Sequence, residues 1–320
     1  MRRVQLILVT VLSLLALATA GCGVAGGGDS GSGSTSGADS GQAAQQTRTV
    51  KHAMGTTKVP ADPKRVVVLD TGVLDAVVSL GVDPVGSIRT TIDEGILDYL
   101  EDDVKGTKIV GTITEPNLEA IAALKPDLIL SNVVRHKDLY DELSKIAPTV
   151  MAESIGSSWK HNFQLFAEAL GMSEKADRML AAYEQRANKL GKKIGKPGKV
   201  DVSVIRFLPG EIRIYQQGSY IGTILSDVGL GRPDTQDGDG LQKVISSERI
   251  KAADGDVIFV TTWGPKKKTQ LSSVTDSKLW QRLDAVQAGD VHFVPDSYWI
   301  VGLGIGSANE VLDDLEKYLT

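Results

Sequence analysis

The chain has 320 residues, a formal net charge of −5 and a single cysteine. One cysteine excludes intramolecular disulfides, and the longest basic run, Lys266–Lys268, is too short in an acidic chain to indicate a nucleic-acid-binding protein. Beyond an unusual N-terminal segment, roughly 270 residues remain, which is enough for one large domain or two lobes of ordinary size.

The first 21 residues have the layout of a secretory signal peptide. Arg2 and Arg3 precede an apolar run over 4–18 that is too short to cross a bilayer, and small residues lead into Cys22. Cleavage after Ala20 would leave Cys22 as a free thiol. Alternatively, the stretch resembles the lipobox of bacterial lipoproteins, although Thr19 occupies the usual leucine position. We favour an acylated Cys22, because two or more acyl chains anchor a protein stably.

Residues 22–47 are predicted to form a flexible tether between this anchor and the folded protein. The stretch "GCGVAGGGDSGSGSTSG" and the residues after it contain Gly, Ser, Ala and Gln with almost no large apolar side chain. Such a composition cannot bury enough apolar surface to offset the entropy of ordering the chain. Removal of Arg2 and Arg3 with the signal leaves a mature charge of −7.

The remaining chain alternates apolar runs with helical patterns, which predicts α/β layers with parallel strands. The runs "RVVVLD", "DLILSN", "VDVSVIRF", "DVIFVTT" and "DVHFVP" are predicted strands, and most lack polar alternation, as strands covered on both faces do. Helical spacing occurs in "GVLDAVVSLG", "NLEAIAALK", "SYIGTILSDVG" and "SSERIKAAD". In the "GLGIGS" run, Ser307 with Glu310 predicts a capping box at a helix start.

Two features indicate two related lobes joined by a rigid element. "NLEAIAALKPDLIL" and "SERIKAADGDVIF" align without a gap at an offset of 129, so that Glu119 matches Glu248. Between these segments, apolar residues at helical spacing from Glu174 to Lys193 predict a long helix. We therefore expect two Rossmann-like lobes, 48–160 and 196–320, joined by a linking spine helix within 161–195.

With these elements in place, the sequence resembles the substrate-binding proteins of ABC importers for iron–siderophore complexes and cobalamin. The resemblance covers roughly 48–320 and includes "PKRVVVLD", "LGVDPVG", "TEPNLEAIAALKPDLIL", "LSKIAPTV", "SSERIKAADGDVIFV" and "PDSYWIVGLGIGSANEVLDDLEKYL". It implies a ligand held between the lobes, no catalysis, no resident cofactor or protein-bound metal, and a monomer that delivers its ligand to a permease dimer. It also implies a position at the outer face of the cell membrane.

Ligand contacts are expected where strands end, because sites in open α/β sheets form beyond the carboxyl ends of the strands. Trp263 follows "DVIFVTT" and precedes Gly264-Pro265, and Tyr298 and Trp299 follow "VHFVP". If that segment is extended, the side chains of Tyr298 and Trp299 point in opposite directions, so only one of them contacts the ligand. The resemblance favours Tyr298. The predicted ligand-binding residues are Trp263, Tyr298, Trp299, Arg135, Arg206, Arg89, Tyr215, Tyr220 and His136.

The mixture of side chains favours a ferric hydroxamate such as ferrioxamine. A triply negative catecholate complex needs several converging cations, whereas a neutral or cationic hydroxamate suits aromatic faces with one or two donors. Cobalamin, haem and ferric catecholates remain alternatives within the same fold. Direct zinc or manganese capture is disfavoured, because the four histidines are scattered, and "DTQDGDG" lacks the final glutamate of a calcium loop. An extracellular hydrolase is the alternative of another class, but no G-x-S-x-G or other nucleophile motif supports it.

Glu119 and Glu248 are expected to dock the protein onto its permease. Acidic residues suit the first turn of a helix in any case. In the resembled family, one glutamate per lobe pairs with arginines of the two permease subunits. A matched pair facing a two-fold symmetric transporter is geometrically reasonable.

Overall fold

The N-terminal part of the described chain is a β-hairpin beside the first lobe. The computed structural model describes residues 46–90 and 97–320, so Cys22 and the predicted tether up to residue 45 lie outside the described residues. Thr47, predicted as the last tether residue, begins the first strand. Strands β1 (Thr47–His52) and β2 (Gly55–Pro60) pair antiparallel, and Gly55 takes φ 121° at the turn. The sequence analysis predicted neither strand.

The first lobe is built on a fully parallel sheet. Its strands are β3 (Val66–Val68), β4 (Gly86–Arg89), β5 (Lys108–Thr112), β6 (Leu128–Asn132) and β7 (Thr149–Ala152). They lie in the order β5-β4-β3-β6-β7. β3 and β6 were predicted from their apolar sequences; they lie side by side in the middle of the sheet and are completely buried. The short strand predicted before Arg89 is β4.

Short helices connect these strands, and polar side chains at strand ends start several of them. The helices are α1 (Thr71–Ser79), α2 (Leu118–Ala123), α3 (Val133–His136), α4 (Tyr140–Ile146) and α5 (Trp159–Leu170). Asp70 after β3 accepts a hydrogen bond from the Gly72 N–H at 2.9 Å, and Asn132 at the end of β6 accepts one from the Arg135 N–H at 3.0 Å. Both caps therefore lie at the carboxyl edge of the sheet.

The second lobe repeats the strand order with one antiparallel strand. Its strands are β8 (Val202–Leu208), β9 (Glu211–Tyr215), β10 (Gln242–Ile245), β11 (Val257–Thr262) and β12 (Val291–Phe293), in the order β10-β9-β8-β11-β12. Only β9 runs against its neighbours. The helices are α7 (Tyr220–Val228), α8 (Leu271–Thr275), α9 (Asp284–Ala288) and α10 (Ile305–Leu319). "SSERIKAAD", predicted as an ordinary helix, is a 3-10 segment (Ser247–Ala253) with non-helical angles at Arg249.

The sequence repeat has a structural basis at the start of the central strands. Asp127 accepts hydrogen bonds from the Lys64 and Arg65 N–H groups at 2.8 and 2.9 Å. Its counterpart Asp256 accepts one from the Asp201 N–H at 2.8 Å. In each lobe, an aspartate just before the strand beside the central one (β6 or β11) thus binds the backbone at the start of the central strand (β3 or β8). The α/β fold with two sheet lobes is confirmed.

The predicted linking helix is two helices rather than one. α5 ends at Gly171, which takes φ 76°, and the spine helix α6 follows as Ser173–Ile194. Its 22 residues correspond to roughly 33 Å at 1.5 Å per residue. The predicted apolar stripe is largely confirmed, since Ala176, Leu180, Tyr183, Ala187 and Leu190 are buried. The lobe limits at 160 and 196 remain predictions.

Both lobes share one apolar core, which includes β3 and β6 of the first sheet, β8 and β11 of the second, and helices α1, α5, α6, α7 and α10. A buried carboxylate adds a polar link across it. Asp75 on α1 accepts hydrogen bonds from the Gly306 and Ser307 N–H groups at the start of α10, both at 2.8 Å, and from the Tyr99 hydroxyl at 2.6 Å. The link favours a fixed angle between the lobes.

The same junction explains the "GLGIGS" run and corrects the predicted capping box. α10 begins at Ile305, and Gly304, rather than Ser307, is the N-cap residue. Ser307 is the third residue of the helix, where its hydroxyl accepts a hydrogen bond from the Gly304 N–H at 3.1 Å. A Cβ on Gly304 would collide with the Asp75 carboxylate. Glycine here permits close approach of two helices.

Candidate functional site

A cleft of about 330 Å³ lies between the lobes at the carboxyl ends of the strands. In the first sheet, the chain passes from the central strand β3 to β4 on one side, and from the adjacent strand β6 to β7 on the other; β8 and β11 do the same in the second sheet. Ligands bind at such switch points in open α/β sheets. The volume is within the range of small-molecule sites. The cleft is lined by Thr90, Leu97 and Asp98 from the first lobe and by Thr262, Trp263, Pro295, Asp296, Ser297 and Val301 from the second.

The second-lobe wall contains a stacked arginine–tryptophan pair. Trp263 directly follows β11 and is partly exposed in the cleft. The guanidinium carbon of Arg206, on β8, lies 4.9 Å from the centre of the Trp263 ring, which is a cation–π contact. Because β8 and β11 are neighbours, with Arg206 opposite Thr261, this contact follows directly from the sheet register.

Arg206 is neutralised inside the wall rather than free for a ligand. Its Nε donates to Asp296 Oδ1 at 2.7 Å, and a second guanidinium nitrogen donates to Asp296 Oδ2 at 2.5 Å. A third donates to the Tyr215 hydroxyl at 3.2 Å. Side-chain exposure is only 7% for Arg206 and 10% for Asp296. Burial alone lowers the pKa of Arg206, but Asp296 and Tyr215 outweigh that effect and raise it, so the pair stays ionised.

Two accessible cations lie at the carboxyl edge of the first sheet, but neither is among the residues that line the cleft. Arg135 on α3 is exposed, and its Nε lies 3.4 Å from Asp70 Oδ2, at the switch point between β3 and β6. Arg89 is the last residue of β4 and is exposed. Val134, the counterpart of Trp263 at the 129-residue offset, is 54% exposed. The two arginines therefore lie at the same edge of their sheet, as the sequence predicted.

Besides Arg206 and Tyr215, the structure buries three further predicted ligand contacts, and we correct these three to structural residues. Trp299 is completely buried and stacks on Phe259 with 4.5 Å between ring centres. The buried Tyr220 hydroxyl lies 2.7 Å from the Gly304 carbonyl and from the Ser307 hydroxyl.

His136, the third, has both ring nitrogens engaged. They lie 2.7 Å from the Ser131 hydroxyl and 3.0 Å from the Ile113 carbonyl oxygen. Burial lowers the pKa of His136, so this histidine is a neutral element of the first-lobe interior.

Tyr298 and Trp299 do not alternate on an extended segment, because Ser297–Val301 is a π-helical turn. Both side chains donate to the same Asp314 oxygen, at 3.0 Å from the Tyr298 hydroxyl and 2.9 Å from the Trp299 indole nitrogen. Tyr298 is half-buried and meets the edge of Tyr99 at 6.0 Å. The contact of Tyr298 with a ligand stays a prediction. The same holds for Tyr215, whose hydroxyl accepts a hydrogen bond from Arg206.

Sequence reasoning missed the acidic members of the cleft, Asp98 and Asp296. Asp296 directly follows "VHFVP", so its position at a strand end was visible in the sequence. The sequence analysis predicts only cations and aromatic rings at this edge. Asp98 begins a 3-10 turn that no periodic pattern indicated.

Glu119 and Glu248 occupy matching exposed positions at the cleft edge. Glu119 is in the first turn of α2, which follows β5, and Glu248 is in the first turn of the 3-10 segment that follows β10. Both strands end at the carboxyl edge of their sheets. Hydrogen bonds from Ser246 and Ser247 lower the pKa of Glu248. One negative side chain per lobe is thus presented beside the cleft.

Among residues 46–90 and 97–320, no group of three or more His, Cys, Asp and Glu side chains is placed to hold a metal ion. No helix in the same part of the chain combines the length and apolar character of a membrane span.

A family model described as "Periplasmic binding protein" matches residues 66–298. The chain belongs to the periplasmic binding protein family. A relative in this family, the probable siderophore-binding lipoprotein YfiY of Bacillus subtilis, is 42% identical over 88% of this chain and 91% of its own length. The putative ABC transporter substrate-binding lipoprotein YhfQ of the same organism is 31% identical over 98% of this chain and 97% of its own.

A solved structure of the same architecture is that of Staphylococcus aureus SirA complexed with staphyloferrin B. It is 37% identical, with a TM-score of 0.77, and the match covers 85% of this chain and 98% of SirA.

Proposed function

We propose that this protein captures a ferric siderophore in the cleft between its lobes and delivers it to an ABC permease. The observation that carries the proposal is the cleft itself, where an aromatic face and charged groups from both lobes converge at the two switch points. Relatives of similar length named for siderophore binding and for ABC transport support it. The iron is cargo held by the siderophore, and the protein acts as a binding protein without catalysis or a resident cofactor.

Within this function, we favour a ferric hydroxamate of the ferrioxamine type. Arg206 is compensated by Asp296, and Asp98 adds a further carboxylate on the facing wall. The lining residues therefore present no excess of positive charge, which a neutral or cationic complex tolerates better than a triply negative catecholate does. The Trp263 face also offers an apolar and polarisable surface to a cationic chain.

Side-by-side fluorescence titrations test the proposal. Trp263 is the tryptophan that lines the cleft, so a bound ferric complex should quench its emission. Ferrioxamine, a ferric catecholate, haem and cobalamin are compared with the parent chain and with Trp263→Phe. We expect saturable quenching by ferrioxamine in the parent and a much smaller amplitude in the variant. Saturation only by haem or cobalamin would contradict the siderophore proposal, and saturation only by the catecholate would contradict the hydroxamate class.

Delivery follows from the positions of the glutamates and the rigidity of the core. Glu119 and Glu248 flank the cleft edge, one per lobe, and match a permease dimer with a basic side chain on each subunit. The shared core and the Asp75 link hold the lobes at a nearly fixed angle, so ligand binding produces only modest closure. We propose that the protein works as a monomer at the outer face of the membrane, anchored by lipid on Cys22, as the lipoprotein names of two relatives support.

A further inference from the structure

A group of unpaired lysines lies at the C-terminal end of α6. We define the spine patch as Lys189, Lys192, Lys196 and Lys199, all of which are exposed. Lys189 and Lys192 border one shallow depression along the helix. Lys196 and Lys199 flank the turn that follows α6, in which Pro197 packs near Gly191 of the helix.

The lysines of the spine patch lack ion-pair partners, although acidic side chains are nearby. On the side of α6 that faces α10, Arg186 pairs with Asp313, and Lys193 pairs with Glu316 at 2.9 Å. Within the described residues, no carboxylate lies within 4.0 Å of a patch lysine. Lys189 and Lys199 respectively lower the pKa of Glu316 and oppose the rise in the pKa of Asp201, but neither forms an ion pair with these carboxylates. Four exposed lysines without an ion pair therefore lie together on a chain whose net charge is −5.

The shape of the spine patch matches an extended anionic surface rather than a small anion. The patch runs from Lys189 and Lys192 in the last turns of α6 to Lys196 and Lys199 in the segment that follows the helix. Its depression is open and shallow, and the lysines that border it are exposed. Each lysine near an anionic bilayer contributes about 1 kcal/mol to the free energy of membrane binding, and this contribution requires no specific geometry.

We propose that the spine patch binds an anionic lipid surface and holds the protein with its cleft facing away from the membrane. Lys199 leads directly into the N-terminal end of β8, whereas the cleft and Glu248 lie at the carboxyl ends of the strands. The patch and the proposed permease-docking edge are therefore on opposite ends of the second lobe. One molecule cannot engage a membrane and a permease in that membrane through both ends at once, so lipid binding defines a resting orientation.

Vesicle co-sedimentation tests this proposal independently of the ferric ligand. The chain from Gly23 onward, which carries no lipid, is mixed with phosphatidylcholine vesicles with or without phosphatidylglycerol. We expect binding only to the anionic vesicles, weakened by salt. Lys189→Gln/Lys192→Gln should reduce the partition coefficient by about 25-fold, taking about fivefold per lysine. The matched control Lys137→Gln/Lys145→Gln removes two exposed lysines of the first lobe and should leave it unchanged.

Absence of binding to anionic vesicles, or equal weakening in the control variant, would overturn the proposal. Complete displacement by soluble poly(glycerol phosphate) at equal phosphate concentration would also overturn it, in favour of an anionic wall polymer. Ligand titrations of the same variants in solution should match the parent chain, so a failure of the siderophore proposal is recognised separately.

Discussion

The buried ion pair behind Trp263 allows a quantitative test of the cleft. Asp296→Asn keeps the size of the side chain but removes its charge, and an amide oxygen cannot accept both hydrogen bonds that Arg206 donates at 2.7 and 2.5 Å. Arg206 would keep at most one of these two hydrogen bonds, the Tyr215 hydroxyl at 3.2 Å and the face of Trp263 at 4.9 Å. The substitution therefore leaves a cation with 7% side-chain exposure partly unpaired.

The expected loss of folding free energy is about 3 kcal/mol. Breaking a buried pair by removing one partner costs about 3–5 kcal/mol, because the other charge stays desolvated. The lower end applies here, since the cation–π contact with Trp263 is worth about 1–2 kcal/mol and is retained. Urea unfolding followed by circular dichroism measures the loss.

The matched control is Asp313→Asn, which breaks an arginine–carboxylate pair whose aspartate side chain is 63% exposed. An exposed pair contributes at most about 1 kcal/mol. If Asp296→Asn lost no more stability than this control, the account of Arg206 as a buried and internally neutralised cation would be refuted.

The same variant reports on ligand charge. An uncompensated Arg206 at roughly 6 Å from a bound complex contributes about 3 kcal/mol per unit of ligand charge at an effective dielectric constant of about 20. Asp296→Asn should therefore bind a triply negative ferric catecholate at least about 100-fold more tightly, the gain expected for one unit of charge alone, with no gain for ferrioxamine. A comparable gain for ferrioxamine would contradict the charge argument.

Three further predictions concern the junction of the lobes, acid stability and docking. Gly304→Ala should lose about 1–3 kcal/mol in urea unfolding, because its Cβ overlaps the buried carboxylate of α1; an unchanged midpoint would contradict this packing. Burial lowers the pKa of His136 below its ordinary 6.5, so the unfolded state takes up the proton first and stability is lost as the pH falls below about 6.5. Relative to His136→Gln, the parent chain should lose up to about 1.4 kcal/mol per pH unit in that range, and parallel curves would contradict it. Glu119→Arg/Glu248→Arg should abolish siderophore uptake in cells with unchanged ligand affinity in vitro, and surviving uptake would show that docking does not depend on these charges.

The central elements of the fold were predictable because their sequence patterns are long or mostly apolar. The stripe of α6 and the mostly apolar runs of β3, β6, β8 and β11 admit few other structures. The edge strands β5, β7 and β10 were missed. They have only four or five residues, and β5 and β10 have exposed positions that weaken the apolar signal.

The candidate site was predictable only in part, because side-chain direction depends on tertiary contacts. Trp263 was found from its place after a strand, and its environment in the cleft follows from the sheet register. Trp299 looked equivalent in sequence, but a π-helical turn directs it onto Phe259. Such a turn has no periodic signature, and the pairing of Asp296 with Arg206 joins positions 90 residues apart.

The most direct test of the cleft as the ligand site is a crystal structure of the protein with ferrioxamine, with iron located by anomalous scattering. The account predicts one iron between the lobes, with the organic part of the complex against Trp263 and within reach of Arg135. Iron bound outside the cleft, or a cleft left empty at saturating ferrioxamine, would contradict it.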